Sequence, residues 1–223
     1  MANIKLKDGN VRSVEDGSTV LELVKQVSNS LAKKVLAAKM DGKTVDLMTP
    51  ITKDAEIEFL TFEDEDGRWA LRHTAAHVMA QALQHLYAKD GIQFAIGPAI
   101  ENGFYYDIDM EKKLTDSDLK DIEKEMDRIV KQNIPMIRKE ISRADALKFF
   151  EEKGQSYKVE LINDLPEDAL ISIYEQGDFT DLCAGPHVVS TGKVKAFKLQ
   201  SVAGAYWRGN EKNKMLQRIY GTA

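Results

Sequence analysis

The stretch from Arg68 to Ala88 constrains the fold more than any other. Its apolar residues fall at helical spacing, with Leu71, Ala75, Val78, Met79, Ala82 and Leu86 forming one stripe. The opposite side carries His73 and His77 beside Ala70, Ala76 and Ala80. A solvent-facing side would carry lysines and glutamates there. Small residues and imidazoles predict a helix covered on both sides, its second face flooring a cavity. Such a helix requires two layers of structure around it. The 223 residues of the chain allow one or two domains of that kind.

The first 62 residues read as a separate small unit. Ile4, Leu6 and Val11 flank Asp8-Gly9-Asn10, a strand–turn–strand signal. Thr19-Val-Leu-Glu22 has the capping-box pattern and starts a helix that runs to about Val27. Short strands are expected at Val35–Lys39, around the Asp41-Gly42 turn, and at Ile57–Phe62. Strands wrapped on one helix within about 60 residues predict a ubiquitin-like β-grasp domain over 1–62. The acidic run Glu63-Asp-Glu-Asp-Gly67 reads as a linker over 63–67.

Residues 68–223 read as a larger α+β domain of antiparallel sheet and helices. After the first helix comes a hairpin from Gly97 to Asp109, turning at Asn102-Gly103. Helices are expected at Thr115–Asn133 and at Ser142–Lys153, the second closed by Gly154. Strands are expected at Lys158–Ile162, Ile171–Glu175, Val194–Leu199 and Leu216–Tyr220. No apolar run approaches the ~20 residues of a membrane span, and the N-terminus turns polar at once. The single cysteine rules out an intrachain disulfide, which fits a cytoplasmic protein.

Two short segments carry chemistry. His73 and His77 are four apart, so both project from one helix face. Such pairs bind zinc in helical proteases, but position 74 is Thr here, not the glutamate of that motif. Cys183 and His187 lie in Asp181-Leu-Cys-Ala-Gly-Pro-His187, where Gly185-Pro186 predicts a loop. Together the four residues are a Cys/His₃ metal set, a water-orienting group, or a thiol with its base. His85 lies elsewhere on the wheel and reads as structural.

Net charge is −5, which weighs against nucleic-acid binding, but its distribution does not. Residues 190–223 carry +6 while the rest carries −11. Lys193, Lys195, Lys198, Arg208, Lys212, Lys214 and Arg218 stand among Phe197, Tyr206, Trp207 and Tyr220. Basic residues interleaved with aromatics can grip phosphates and stack on bases, so these seven are candidate nucleic-acid contacts. The alternative is a solvated basic strand pair.

Several motifs occur in a set order: Arg72-His-Thr-Ala-Ala-His77, Ile96-Gly-Pro, Asn102-Gly-Phe-Tyr-Tyr-Asp107, Ser156-Tyr-Lys158, Asp181–His187, Gly204-Ala-Tyr-Trp-Arg-Gly209 and Asn213–Ala223. The series, covering essentially the whole chain, resembles the N-terminal half of bacterial threonyl-tRNA synthetases. The resemblance implies a TGS domain, which is a β-grasp fold, followed by an editing domain related to that of alanyl-tRNA synthetases. In the family a catalytic core and an anticodon-binding domain follow, so the chain reads as a truncated form. The whole enzyme would ligate threonine to tRNA(Thr) with ATP, Mg and a zinc in its catalytic domain, as a homodimer. The fragment is expected to be monomeric, to act on tRNA(Thr) mischarged with serine, and to engage neither DNA nor membranes.

By the resemblance, His73, His77, Cys183 and His187 line an editing pocket, with Lys158 and Asp181 closest to the chemistry and Tyr106 in its wall. Asp181 and Tyr106 also count as substrate contacts. No metal is expected in the fragment; zinc on the quartet is the alternative. Position 184 is Ala where Arg is common in the family's loop, which removes one possible phosphate contact. Two rival readings remain, a free-standing aminoacyl-tRNA deacylase and a non-catalytic tRNA-binding module.

Overall fold

The computed structural model describes all residues, 1–223, and falls into two compact units. One comprises Met1–Leu71 with Gly185–Val189; the other comprises Arg72–Ala184 with Ser190–Ala223. Both are α+β, as expected.

In the first unit β1 (Ala2–Leu6) and β2 (Val11–Val14) form a hairpin, followed by α1 (Val20–Val27) and α2 (Asn29–Lys34). Then come β3 (Ala37–Met40), β4 (Lys43–Val45) and β5 (Ala55–Leu60). The sheet order is β2-β1-β5-β3-β4, with β1 and β5 parallel and the other pairs antiparallel. Thr19 and Glu22 exchange both capping-box bonds, which fixes where α1 starts. Val20, Leu23 and Val24 of α1 bury against Ile4, Leu47, Ile51 and Ile57. This is the β-grasp arrangement read from the sequence. Helix α2 escaped that reading because it is short and buries no residue.

The expected linker is largely helical. Helix α3 runs Glu65–Tyr87, so it begins three residues before Arg68. Glu65 and Asp66 sit in its first turn, where acidic groups suit the helix dipole. Asp64 accepts from the Thr61 N–H at 2.8 Å, and the Arg68 guanidinium donates to the Phe62 and Glu63 carbonyls. Gly67 allows the close approach: a Cβ there would stand 2.0 Å from the Thr61 carbonyl oxygen. Acidity therefore marks a helix start rather than a flexible link.

The second unit continues with β6 (Gln93–Phe94), β7 (Ala99–Ile100), β8 (Gly103–Asp109), α4 (Asp116–Gln132) and β9 (Ile137–Ile141). After these come α5 (Arg143–Glu152), α6 (Ser156–Asp164), β10 (Ile171–Gln176), β11 (Phe179–Leu182), β12 (Lys198–Tyr206) and β13 (Met215–Thr222). Two antiparallel sheets result, β11-β10-β9 and β12-β13-β8-β6, with β7 also pairing β8. Helices α5 and α6 cover the smaller sheet through Ala146, Phe150 and Ile162 against Ile171 and Ile173.

Three expectations need correction here. Lys158–Ile162 is part of helix α6, not a strand. Its alternating Lys-Val-Glu-Leu pattern mimics a strand, but Tyr157, Lys158 and Ile162 turn inward together at helical spacing. The strand expected at Val194–Leu199 begins only at Lys198 and runs on to Tyr206. Its small residues, Ser201, Ala203, Gly204 and Ala205, carry little β-propensity, and pairing with β13 imposes the strand. Leu86, assigned to the buried stripe of α3, is 40% exposed. The rest of the prediction for α3 holds: Ala70, Ala75, Ala76, Val78, Met79, Ala80 and Ala82 are all fully buried.

Gly185–Val189 groups with the first unit although it interrupts the second in sequence. The His187 N–H donates to Asp46 Oδ1 at 2.6 Å, and Val189 packs on the β-grasp core.

Candidate active site

Helix α3 presents His73 and His77 one turn apart, with ring centroids 5.1 Å apart and planes at 87°. Strand β11 delivers the opposing groups. Asp181 points inward from it, and Cys183 follows at its end. The Cys183 Sγ lies 3.4 Å from His73 Nε2. Ser172 on β10 fixes this corner: its hydroxyl donates to the Cys183 carbonyl at 2.6 Å and its carbonyl accepts the Cys183 N–H at 3.1 Å. The expected loop therefore starts at Cys183, while Asp181 belongs to a strand.

A buried polar cluster adjoins the histidines. Lys158 on α6 donates to Asp181 Oδ1 at 2.5 Å and to the Tyr106 hydroxyl at 3.0 Å. The Tyr106 hydroxyl in turn donates to Asp181 Oδ2. His77 Nε2 stands 3.5 Å from the same carboxylate oxygen. Lys158 and Asp181 are each 3% exposed, and His77 is 2% exposed. Burial of an ion pair is costly unless further hydrogen bonds satisfy it, and Tyr106 supplies them here. The Tyr106 ring lies against Gly97, where a Cβ would stand 2.2 Å from a ring carbon. Phe94 packs edge-on at 5.7 Å.

Environment sets the protonation states. Burial lowers His77 to about 3, with the nearby His73 and Lys158 adding to the shift and Asp181 opposing it. His77 is therefore a neutral imidazole near pH 7. Burial would raise the Asp181 carboxyl, but Lys158, His77 and the Tyr106 hydrogen bond outweigh it and hold it below the usual range. Burial and the Asp181 charge push the Tyr106 phenol well above its ordinary value, so it stays a donor. The cluster thus offers a fixed carboxylate and directed donors. His73 and Cys183 beside it are only half-buried. A cavity of about 320 Å³ reaches Lys158 and Asp181 and is walled by Phe94, Phe150 and Phe179; it does not extend to His73 or Cys183.

His73, His77 and Cys183 of the second unit each offer one donor atom, and these atoms lie within 4.8 Å of one another; His187, the fourth candidate ligand, groups with the first unit. The donor chemistry fits zinc. Ligand atoms of a tetrahedral zinc stand about 3.3–3.8 Å apart, so the widest spacing would have to close by about 1 Å.

The basic tail is largely engaged within its own domain. Lys198 pairs with Glu123, Arg208 with Glu160 and Asp164, and Lys214 with Asp109. Arg218 makes a two-pronged contact with Asp107 and lies 3.9 Å above the Tyr105 ring. Lys195 and Lys212 are exposed and Lys193 is half-buried. His85, read as structural, bridges Glu125 at 2.5 Å and Asp178 at 3.0 Å.

Gln81, Gln176 and Ser172 were not singled out in the sequence. One signal was available: Gln81 continues the four-residue step of His73 and His77 on the same helix face.

Comparison with known proteins defines the class. Residues 2–61 match the TGS domain, and residues 171–220 match the threonyl and alanyl tRNA synthetase second additional domain. The chain is 57% identical over 223 residues to a threonine–tRNA ligase of Clostridium acetobutylicum, covering all of this chain and 35% of that protein. It is 58% identical to that of Clostridium novyi and 56% to that of Desulforamulus reducens, with the same coverage. The chain carries a TGS domain and the threonyl and alanyl tRNA synthetase second additional domain, and along its whole length it is similar to the N-terminal region of bacterial threonine–tRNA ligases. It spans about a third of the length of the curated relatives it matches.

Proposed function

We propose that residues 68–223 form a proofreading domain that hydrolyses the ester of seryl-tRNA(Thr), with residues 1–62 as its TGS domain. The observation that carries this reading is the buried Lys158–Asp181–Tyr106 cluster set against His77 and beside His73 and Cys183. Threonine exceeds serine by one methyl group. A methyl(ene) is worth only ~1–3 kcal/mol in a pocket, so a synthetic site that accepts threonine cannot reject serine thoroughly. A second site that excludes the larger residue sterically can.

Ester hydrolysis needs a held water, proton transfer, and donors for the developing negative charge. His73, with Lys158, positions and activates water or stabilises the leaving ribose oxygen. His77 is too weak a base for that task, since its imidazole is held to about 3, and serves instead as a neutral hydrogen-bonding wall. Asp181, ionised, binds the substrate amino group, with Tyr106 fixing its orientation. Cys183 and His187 shape the pocket. No resident metal is assigned to this chemistry. Were zinc bound, the His73, His77, Cys183 and His187 donors would hold it, and it would supply a Lewis acid.

The partner is serine-mischarged tRNA(Thr), with Lys195 and Lys212 the most available phosphate contacts of the tail and Lys193, Lys198, Arg208, Lys214 and Arg218 secondary. A chain of this composition acts in the cytoplasm, as a monomer in this form. The full-length enzyme would be a homodimeric ligase using ATP, Mg and zinc. No helix here is long and apolar enough to cross a membrane. The test is seryl-tRNA(Thr) deacylation by His73→Ala and Lys158→Ala variants, with threonyl-tRNA(Thr) as the discriminating substrate. Near-normal rates in both variants would sink the assignment. Binding of tRNA without any ester cleavage by the parent chain would reduce it to a binding module.

A further inference from the structure

We propose that Gln81 and Gln176 are positioning residues: their buried amide pair sets the register of the β10–β11 hairpin on α3, and so holds Asp181 and Cys183 opposite His77 and His73. The inference rests on the hydrolytic reading above and deepens it.

The two amides are 1% and 0% exposed, respectively. Gln176 Nε2 donates to Gln81 Oε1 at 2.6 Å and lies 3.4 Å from the His77 carbonyl oxygen. Gln81 Nε2 donates to Asp178 Oδ1 at 2.7 Å, and Gln84 Nε2 donates to the Asp178 carbonyl at 3.2 Å. One face of α3 thus grips the tip of the hairpin at Gln176-Gly177-Asp178. Gly177 takes a left-handed φ of +62°, the conformation that turns the chain between the two strands. None of these groups touches the proposed chemistry.

Helix and hairpin run alongside each other. Asp178 sits by Gln81, Asp181 by His77, and Cys183 by His73. A strand advances ~3.3 Å per residue, and a one-residue slip turns every side chain to the other face. The 3.5 Å contact between His77 and Asp181 has no slack for that. Apolar side chains of similar size would fill the same space at lower desolvation cost. What only the amides add is direction, because each bond is satisfied in one register alone.

The test uses this chain with Gln176→Leu, Gln81→Met and the double change. Three quantities are measured: alkylation of Cys183, the single cysteine, by iodoacetamide; kcat and KM for seryl-tRNA(Thr); and the melting temperature. Each single change should raise the alkylation rate about tenfold well below melting, through local loosening of the hairpin. Each should cut kcat about tenfold or more by misplacement, with KM within about twofold of the parent. The double variant should lose less than the two singles combined, since the Gln176–Gln81 bond is common to both changes while each amide also makes one bond of its own. Unchanged alkylation and kcat in folded variants would overturn the proposal, as would losses that merely track melting temperature. Should the larger changes fail to fold, Gln81→Asn, which shortens the reach by one methylene, gives the same comparison. Absence of hydrolysis by the parent chain would defeat the hydrolytic reading, and the alkylation rates would still decide the register claim.

Discussion

Replacing Lys158 with Met should unbalance the centre of the site in a way that pH can reveal. In the parent, Asp181 keeps its charge in a buried setting because Lys158 lies 2.5 Å away and Tyr106 donates to it. Methionine fills the space and removes the positive partner. Breaking a buried pair from one side typically costs ~3–5 kcal/mol, because the other charge is stranded. For a domain of this size that is a melting shift of roughly 6–20 °C near neutral pH. The sign with pH follows from the carboxyl. In the parent its folded value lies below 3.8, so its contribution is present above about pH 4 and lost as pH falls further. In the variant, burial acts with no lysine to oppose it, and the folded value rises above 3.8. Stability should then fall as pH rises from about 4, so the deficit against the parent is greatest at neutral pH and smallest near pH 4. Urea denaturation of both proteins between pH 4 and 8 measures it. Seryl-tRNA(Thr) hydrolysis should drop roughly 10²–10³-fold, the usual cost of one lost donor at a developing charge. Equal stability at neutral pH, or a deficit that does not shrink on acidification, would refute the reasoning.

Three further outcomes are expected. Gly97→Ala places a Cβ about where a Tyr106 ring carbon lies, at 2.2 Å, and should destabilise by ~1–3 kcal/mol and lower deacylation; a parent-like urea midpoint would contradict the packing described. In His85, burial lowers the imidazole but hydrogen bonds and charges from Asp178 and Glu125 outweigh it, so its folded value lies above 6.5. Its contribution is therefore full below about pH 6.5 and lost as pH rises through the raised value, and His85→Gln should flatten the stability profile across that window while leaving the alkaline side unchanged. Protein purified without added zinc should retain full deacylation after dialysis against a chelator, whereas activity that vanishes and returns with zinc would assign the quartet to a metal.

Much of the fold was legible because its signals are local. The capping box at Thr19 and Glu22, the Asn102-Gly103 turn, and the Thr115 start of α4 all act within a few residues, and all appear where the sequence puts them. Where tertiary pairing overrode local preference, the reading slipped. The strand β12 is built of Ser, Ala and Gly residues and exists because β13 pairs with it; α6 alternates like a strand and is helical because its inner side packs on β10.

The sequence by itself determined the ingredients of the site. Two histidines at a four-residue step on a helix with no solvent face, and a Cys-x-x-x-His loop, follow from periodicity and turn chemistry, and ordered motifs tied them to a family. Only the tertiary structure decided how they act. Lys158, Tyr106 and Asp181 come from a helix and two strands far apart in the chain, and their charges and protons are set by one another and by burial. The same holds for the amides of Gln81 and Gln176, 95 residues apart, which face each other across α3 and the hairpin. Local sequence dictates backbone conformation over a few residues. Desolvation and hydrogen-bond direction depend on what lies opposite in space, which long-range packing alone supplies.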